Sequence, residues 1–66
     1  MNITVNGQEV EILQPMTIQE LLEHLKINPL AVVVETNQRI VTREDFKETT
    51  VQFGDKLEII RYMAGG

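Results

Sequence analysis

The chain has 66 residues, enough for one domain with a lean core, because a chain this size buries only about 60% of the surface that its unfolded form exposes. It contains no cysteine, which excludes disulfides, thiolate metal sites, iron-sulfur clusters and thiol nucleophiles and leaves the redox compartment open. Ten acidic residues against six dispersed basic ones give a formal charge of -4, which disfavours a nucleic-acid partner and favours basic protein surfaces.

The elements follow in chain order. From Asn2 to Asn6, apolar Ile3 and Val5 alternate with polar neighbours, the period of a strand with one buried face. Asn6-Gly7 suits a type I′ turn, which needs positive φ at both central positions, and Glu9 to Leu13 returns with Val10 and Ile12 inward. Thr17 and Glu20 have the spacing of a capping box, and Met16 can staple onto Leu21, so a helix starts here. Ile18, Leu21, Leu22 and Leu25 form its apolar stripe, while Gln19, Glu20, Glu23, His24 and Lys26 face water. Pro29 disfavours helical geometry at Asn28, which places the helix end near Lys26 or Ile27.

Leu30 to Val34 is a continuous apolar run, expected as a strand buried on both faces near the sheet centre. A polar turn containing Asn37 leads to a short edge strand at Ile40-Val41, and Thr42 to Lys47 is a connector with Phe46 tucked beneath it. Thr49 to Phe53 can be extended. Gly54-Asp55 then marks a turn before the last strand, Lys56 to Tyr62. If Leu57 and Ile59 meet the helix, Glu58, Ile60 and Tyr62 fall on the opposite face and form a candidate contact patch. The whole is an α+β roll, with one helix packed on a mixed sheet of four to five strands.

Glycine is used sparingly, at Gly7 and Gly54, where turns need it, and at Gly65 and Gly66. The expected organisation is a domain over residues 1–62 and a flexible tail of Met63, Ala64, Gly65 and Gly66. Apolar runs fall short of the roughly 20 residues of a membrane span. Met1 to Val5 lacks the basic and apolar regions of a signal peptide, so a cytoplasmic location without membrane partners is expected.

Four stretches resemble the ThiS sulfur-carrier family of thiamine biosynthesis, whose fold is the ubiquitin-like β-grasp. They are Asn6-Gly7, Thr17-Ile18-Gln19-Glu20-Leu21-Leu22, Asn37-Gln38-Arg39-Ile40-Val41-Thr42-Arg43 and Gly54-Asp55-Lys56-Leu57-Glu58-Ile59, together with the terminal Gly65-Gly66. Thr42 stands where the family often has proline, and Ala64 replaces what is frequently a third glycine. The resemblance implies that the Gly66 carboxylate is adenylated by an E1-like adenylyltransferase and converted to a thiocarboxylate. It also implies delivery of that sulfur to thiazole synthase. ATP and a sulfur donor would be used by the partner enzymes and sulfur-donating machinery. The carrier itself would bind no cofactor or metal, would not be an enzyme, and would be a monomer when free.

Three other functions share parts of this pattern. The small subunit of molybdopterin synthase uses the same thiocarboxylate, a ubiquitin-type modifier would join Gly66 to lysines, and a plain β-grasp interaction domain would leave the tail unmodified. His24 with Glu20 and Glu23 is the nearest thing to a metal or acid-base site, and a solvated helix face accounts for all three.

Overall fold

The computed structural model describes residues 2–62. Strands β1 (Asn2–Val5) and β2 (Gln8–Glu11) form the first hairpin, and Asn6 and Gly7 between them both have positive φ, 51° and 83°. A Cβ added at Gly7 would meet nothing within 4 Å, so backbone conformation and not space selects glycine there. Ile12 is buried just beyond β2, whereas Leu13, the expected strand end, is exposed.

Helix α1 (Ile18–His24) begins where the capping box places it. The Thr17 N–H donates to Glu20 Oε1 at 2.9 Å and the Glu20 N–H donates to Thr17 Oγ1 at 3.1 Å. The two remaining free N–H groups of the first turn are satisfied from across the chain, Ile18 by the Thr49 carbonyl at 2.9 Å and Gln19 by the Phe46 carbonyl at 3.1 Å. Strand β3 (Met16–Thr17) pairs with β6 (Thr50–Val51) as a two-stranded ribbon that holds this cap. Within the anticipated extended stretch Thr49 to Phe53, only Thr50–Val51 is strand, and Phe53 is exposed.

The helix ends earlier than Pro29 alone predicts. Lys26 takes φ 61°, its N–H donates to the Glu23 carbonyl at 3.0 Å, and the Ile27 N–H donates to the Leu22 carbonyl at 2.8 Å. These are the two bonds of a Schellman motif, formed here with lysine where glycine is usual.

Leu30 and Ala31 are not strand residues, contrary to expectation. Asn28 Oδ1 accepts from the Leu30 N–H at 2.9 Å and caps a 3-10 turn over Pro29–Ala31, which leaves Leu30 exposed. Strand β4 (Val32–Thr36) follows with Val32 and Val34 buried, and it pairs with β5 (Arg39–Val41) across the left-handed pair Asn37 and Gln38. Strand β7 (Lys56–Arg61) completes a five-stranded sheet in the order β2-β1-β7-β4-β5. The central strand is therefore β7, parallel to β1 and antiparallel to β4, while β4 lies one place from the edge.

One face of this sheet meets the helix. Ile3, Val5, Ile12, Val32, Val34, Leu57 and Ile59 pack with Ile18, Leu21 and Leu22, and Phe46 and Val51 close the core from the side. Val10 and Leu25 join it partly buried. Each fully buried aliphatic side chain contributes about 1.5–3 kcal/mol. The result is the expected α+β roll, with the last strand fixed on both sides.

Candidate docking face and C-terminal carboxyl

Alternation along β7 sends Leu57 and Ile59 into the core and turns Glu58 and Ile60 to the open face, with Ile60 44% and Tyr62 51% exposed. The strand stops at Arg61, one residue short of expectation, but Tyr62 is still tied down. Its hydroxyl donates to the Leu30 carbonyl at 2.7 Å and its N–H donates to the Ala31 carbonyl at 3.3 Å. The last described residue is thus anchored to the 3-10 turn that opens β4. Met63, Ala64, Gly65 and Gly66, the expected tail and modification site, lie outside the described residues.

The register supplies neighbours that local patterning did not reveal. Val33 stands opposite Ile60, Glu35 opposite Glu58, and Ile40 opposite Glu35. The open face thus carries an apolar group, Val33, Ile40 and Ile60, beside a carboxylate pair. A recess of about 240 Å³ runs between β5 and Tyr62 with Ile40, Val33 and Phe46 in its lining. A second, of about 520 Å³, is lined by Glu35, Asn37, Gln38, Lys56 and Glu58.

Two asparagines hold this face in shape. Asn6 Oδ1 accepts from the Ile59 N–H at 2.8 Å, Asn6 Nδ2 donates to the Ile59 carbonyl at 3.2 Å, and the Asn6 N–H donates to the Leu57 carbonyl at 2.9 Å. A side-chain amide thereby continues the ladder of β1 along β7 after β1 has turned away. Asn37 works similarly at the other end, where its Oδ1 accepts from the Lys56 N–H at 3.0 Å and its Nδ2 donates to Asp55 Oδ1 at 3.2 Å. Both residues read as turn formers in the sequence. Their left-handed φ was the only local signal, and the partners lie far along the chain.

His24 is exposed and borders a recess with Leu13 and Met16. Among the described residues no group of three or more His, Cys, Asp or Glu is arranged to hold a metal ion, and no helix is long and apolar enough to cross a membrane.

A family model described as the ThiS family matches residues 3–66. The chain belongs to the ThiS family. Sulfur carrier protein ThiS of Escherichia coli (strain K12) is 35% identical over 66 residues, covering 100% of both chains. The crystal structure of the ThiS thiamine biosynthesis protein from Geobacter metallireducens superposes with a TM-score of 0.88 at 39% identity, again over 100% of both chains, which places the roll among ThiS folds. A thiazole synthase of Paramagnetospirillum magneticum is 36% identical over 66 residues, and there the chain spans only 20% of its relative's length. A ThiS-like region therefore occurs inside a much longer protein named for a different activity.

Proposed function

We propose that this ThiS-family chain carries sulfur for thiamine biosynthesis, as a thiocarboxylate on Gly66, and hands it to thiazole synthase. The observation that carries the proposal is the family match over residues 3–66, which runs through both terminal glycines. The fold supports it, because the strand nearest the tail is the central one, clamped by β1, β4 and Asn6. A rigid root can deliver a short tail to an enzyme's active site.

The chemistry follows from the carboxyl group. An α-carboxylate titrates near about 3.5, is ionised at neutral pH and is a poor electrophile. An E1-like partner must first let a carboxylate oxygen attack the α-phosphorus of ATP, expelling pyrophosphate, to give an acyl-adenylate. Sulfur at the sulfide oxidation level then attacks the carbonyl carbon and expels AMP, leaving sulfur in place of one oxygen. Glycine serves here because no Cβ crowds the carbon under attack and an extended backbone can enter a narrow channel. A chain without cysteine has no thiol of its own to intercept the activated acyl group. The carrier is substrate throughout.

The thiazole synthase of P. magneticum supports the choice of acceptor, because a region like this chain lies within a protein of that name. A strain lacking this chain is expected to require thiamine or its thiazole moiety for growth while its molybdenum enzymes remain active. Growth without thiamine, together with loss of molybdenum-enzyme activity, would assign the chain to molybdopterin synthesis.

Ile60 on β7 and Tyr62 just beyond its end are proposed as the contact for the activating enzyme. Ile60→Ala and Tyr62→Ala are each expected to weaken that binding by about 1–3 kcal/mol, the range of interface anchors. Tyr62→Phe keeps the ring but loses the bond to Leu30, and so separates contact from anchoring. Unchanged affinities in titration calorimetry for both alanine variants would exclude the patch.

A further inference from the structure

The open face carries an internal conflict. Glu35 on β4 and Glu58 on β7 are directly opposed in the register, where like charges repel and destabilise the pairing. On the same face Ile40 stands opposite Glu35, the Val33–Ile60 pair adjoins along the two strands, and Lys56, two residues before Glu58, lines the recess that the two acids share. Glu35 is half-buried, and both carboxylates border the recess of about 520 Å³. Two acids against the single cation Lys56, bordered by Val33, Ile40 and Ile60, form a surface complementary to a partner that brings a further cation with an apolar surround. The chain's charge of -4 steers encounter in the same sense.

We infer that the Glu35–Glu58 pair is the recognition element by which this face docks thiazole synthase, receiving one basic side chain, most suitably an arginine, between the two carboxylates. A planar guanidinium can bond both acids at once while its flanks lie against Ile40 and Ile60. The site spans β4 and β7, and β7 is the strand that leads to the tail, so docking there would orient the tail toward the enzyme that accepts its sulfur. The repulsion within the free carrier would then be relieved in the complex. This docking presupposes the sulfur-carrier function proposed above.

The test measures binding of the full-length carrier to thiazole synthase from the same organism at low and high salt. The carriers compared are wild type, Glu35→Gln, Glu58→Gln and Glu9→Gln. Glu9 pairs with Thr4 on the edge strand β2, so its replacement makes the same change in net charge away from the β4–β7 seam. Glu35→Gln and Glu58→Gln are each expected to weaken binding roughly tenfold and to flatten its salt dependence, with Glu9→Gln changing it less than about twofold. The thermal midpoints of the two seam variants should equal or exceed that of wild type, because each removes a repulsion. Wild-type affinity in both seam variants, an equal loss in Glu9→Gln, or no binding by the wild-type carrier would each overturn the inference. Sulfur loading of the same preparations, read by alkylation of the thiocarboxylate, is scored separately. A carrier that loads sulfur yet binds independently of Glu35 and Glu58 keeps its function and loses this docking site, whereas one that never loads sulfur removes the function whatever the binding result.

Discussion

Deleting Gly66 is expected to abolish sulfur loading and to leave the thermal midpoint within about 1–2 °C of wild type. The two halves of that result have separate causes. The buried hydrophobic residues among those described run from Ile3 to Ile59, and a terminal glycine has no side chain to add to them. A stability change of 1 kcal/mol would move the midpoint of a domain this small by roughly 4–8 °C, so a shift of that size would be visible. Chemically, the deletion moves the carboxyl group back by one residue, about 3.3–3.6 Å of extended chain. Misplacing a reacting group by 1 Å can already cost about 100-fold. Gly66→Ala keeps the length but sets a Cβ beside the carbon under attack, and is expected to slow loading by at least about tenfold. Loading of the deleted chain at the wild-type rate would show that the reacting carboxyl is not that of Gly66.

Phe46→Ala is expected to destabilise the fold by about 3–5 kcal/mol, the usual cost of truncating a buried phenylalanine. Phe46 is only 1% exposed and follows the short 3-10 turn over Arg43–Asp45. Its carbonyl also accepts from the Gln19 N–H, so the side chain that fills the core sits in the loop that caps the helix. Stability of roughly 0.05–0.15 kcal/mol per residue gives about 3–10 kcal/mol for a chain of this length. Phe46→Ala therefore removes a large share of it, whereas Phe46→Leu, which keeps most of the volume, is expected to cost less than half as much. Urea denaturation distinguishes the outcomes, and a Phe46→Ala midpoint equal to that of wild type would mean that the connector is not part of the core.

What the sequence disclosed follows a physical division. Asn6-Gly7 and the Thr17–Glu20 box are local chemistry, settled within a few residues, and both have the predicted geometry. The outward turn of Glu58 and Ile60 was equally legible, because alternation along one strand needs no partner. The start of β4 differs from expectation because Leu30-Ala31 continues an apolar run yet belongs to a 3-10 turn. The competing signal, an asparagine before proline at the first position of a turn, was present in Asn28-Pro29 and proved stronger. Long-range register was not legible at all. The pairing of Glu35 with Glu58, the central place of β7 and the grip of Asn6 on Ile59 all join segments more than 20 residues apart.

The proposed sulfur chemistry is tested most directly by intact mass. The carrier, isolated from its own cells and also after incubation with ATP, an E1-like activating enzyme and a sulfur donor, is measured before and after treatment with a thiol-alkylating reagent. Alkylation is needed because oxidation of Met1, Met16 or Met63 adds nearly the same mass as exchange of oxygen for sulfur, whereas a chain without cysteine offers a thiocarboxylate as its soft nucleophile. A single alkyl group mapped to Gly66 is the predicted result. No alkylation in either sample, with the activating enzyme shown to be competent on another carrier, would contradict it.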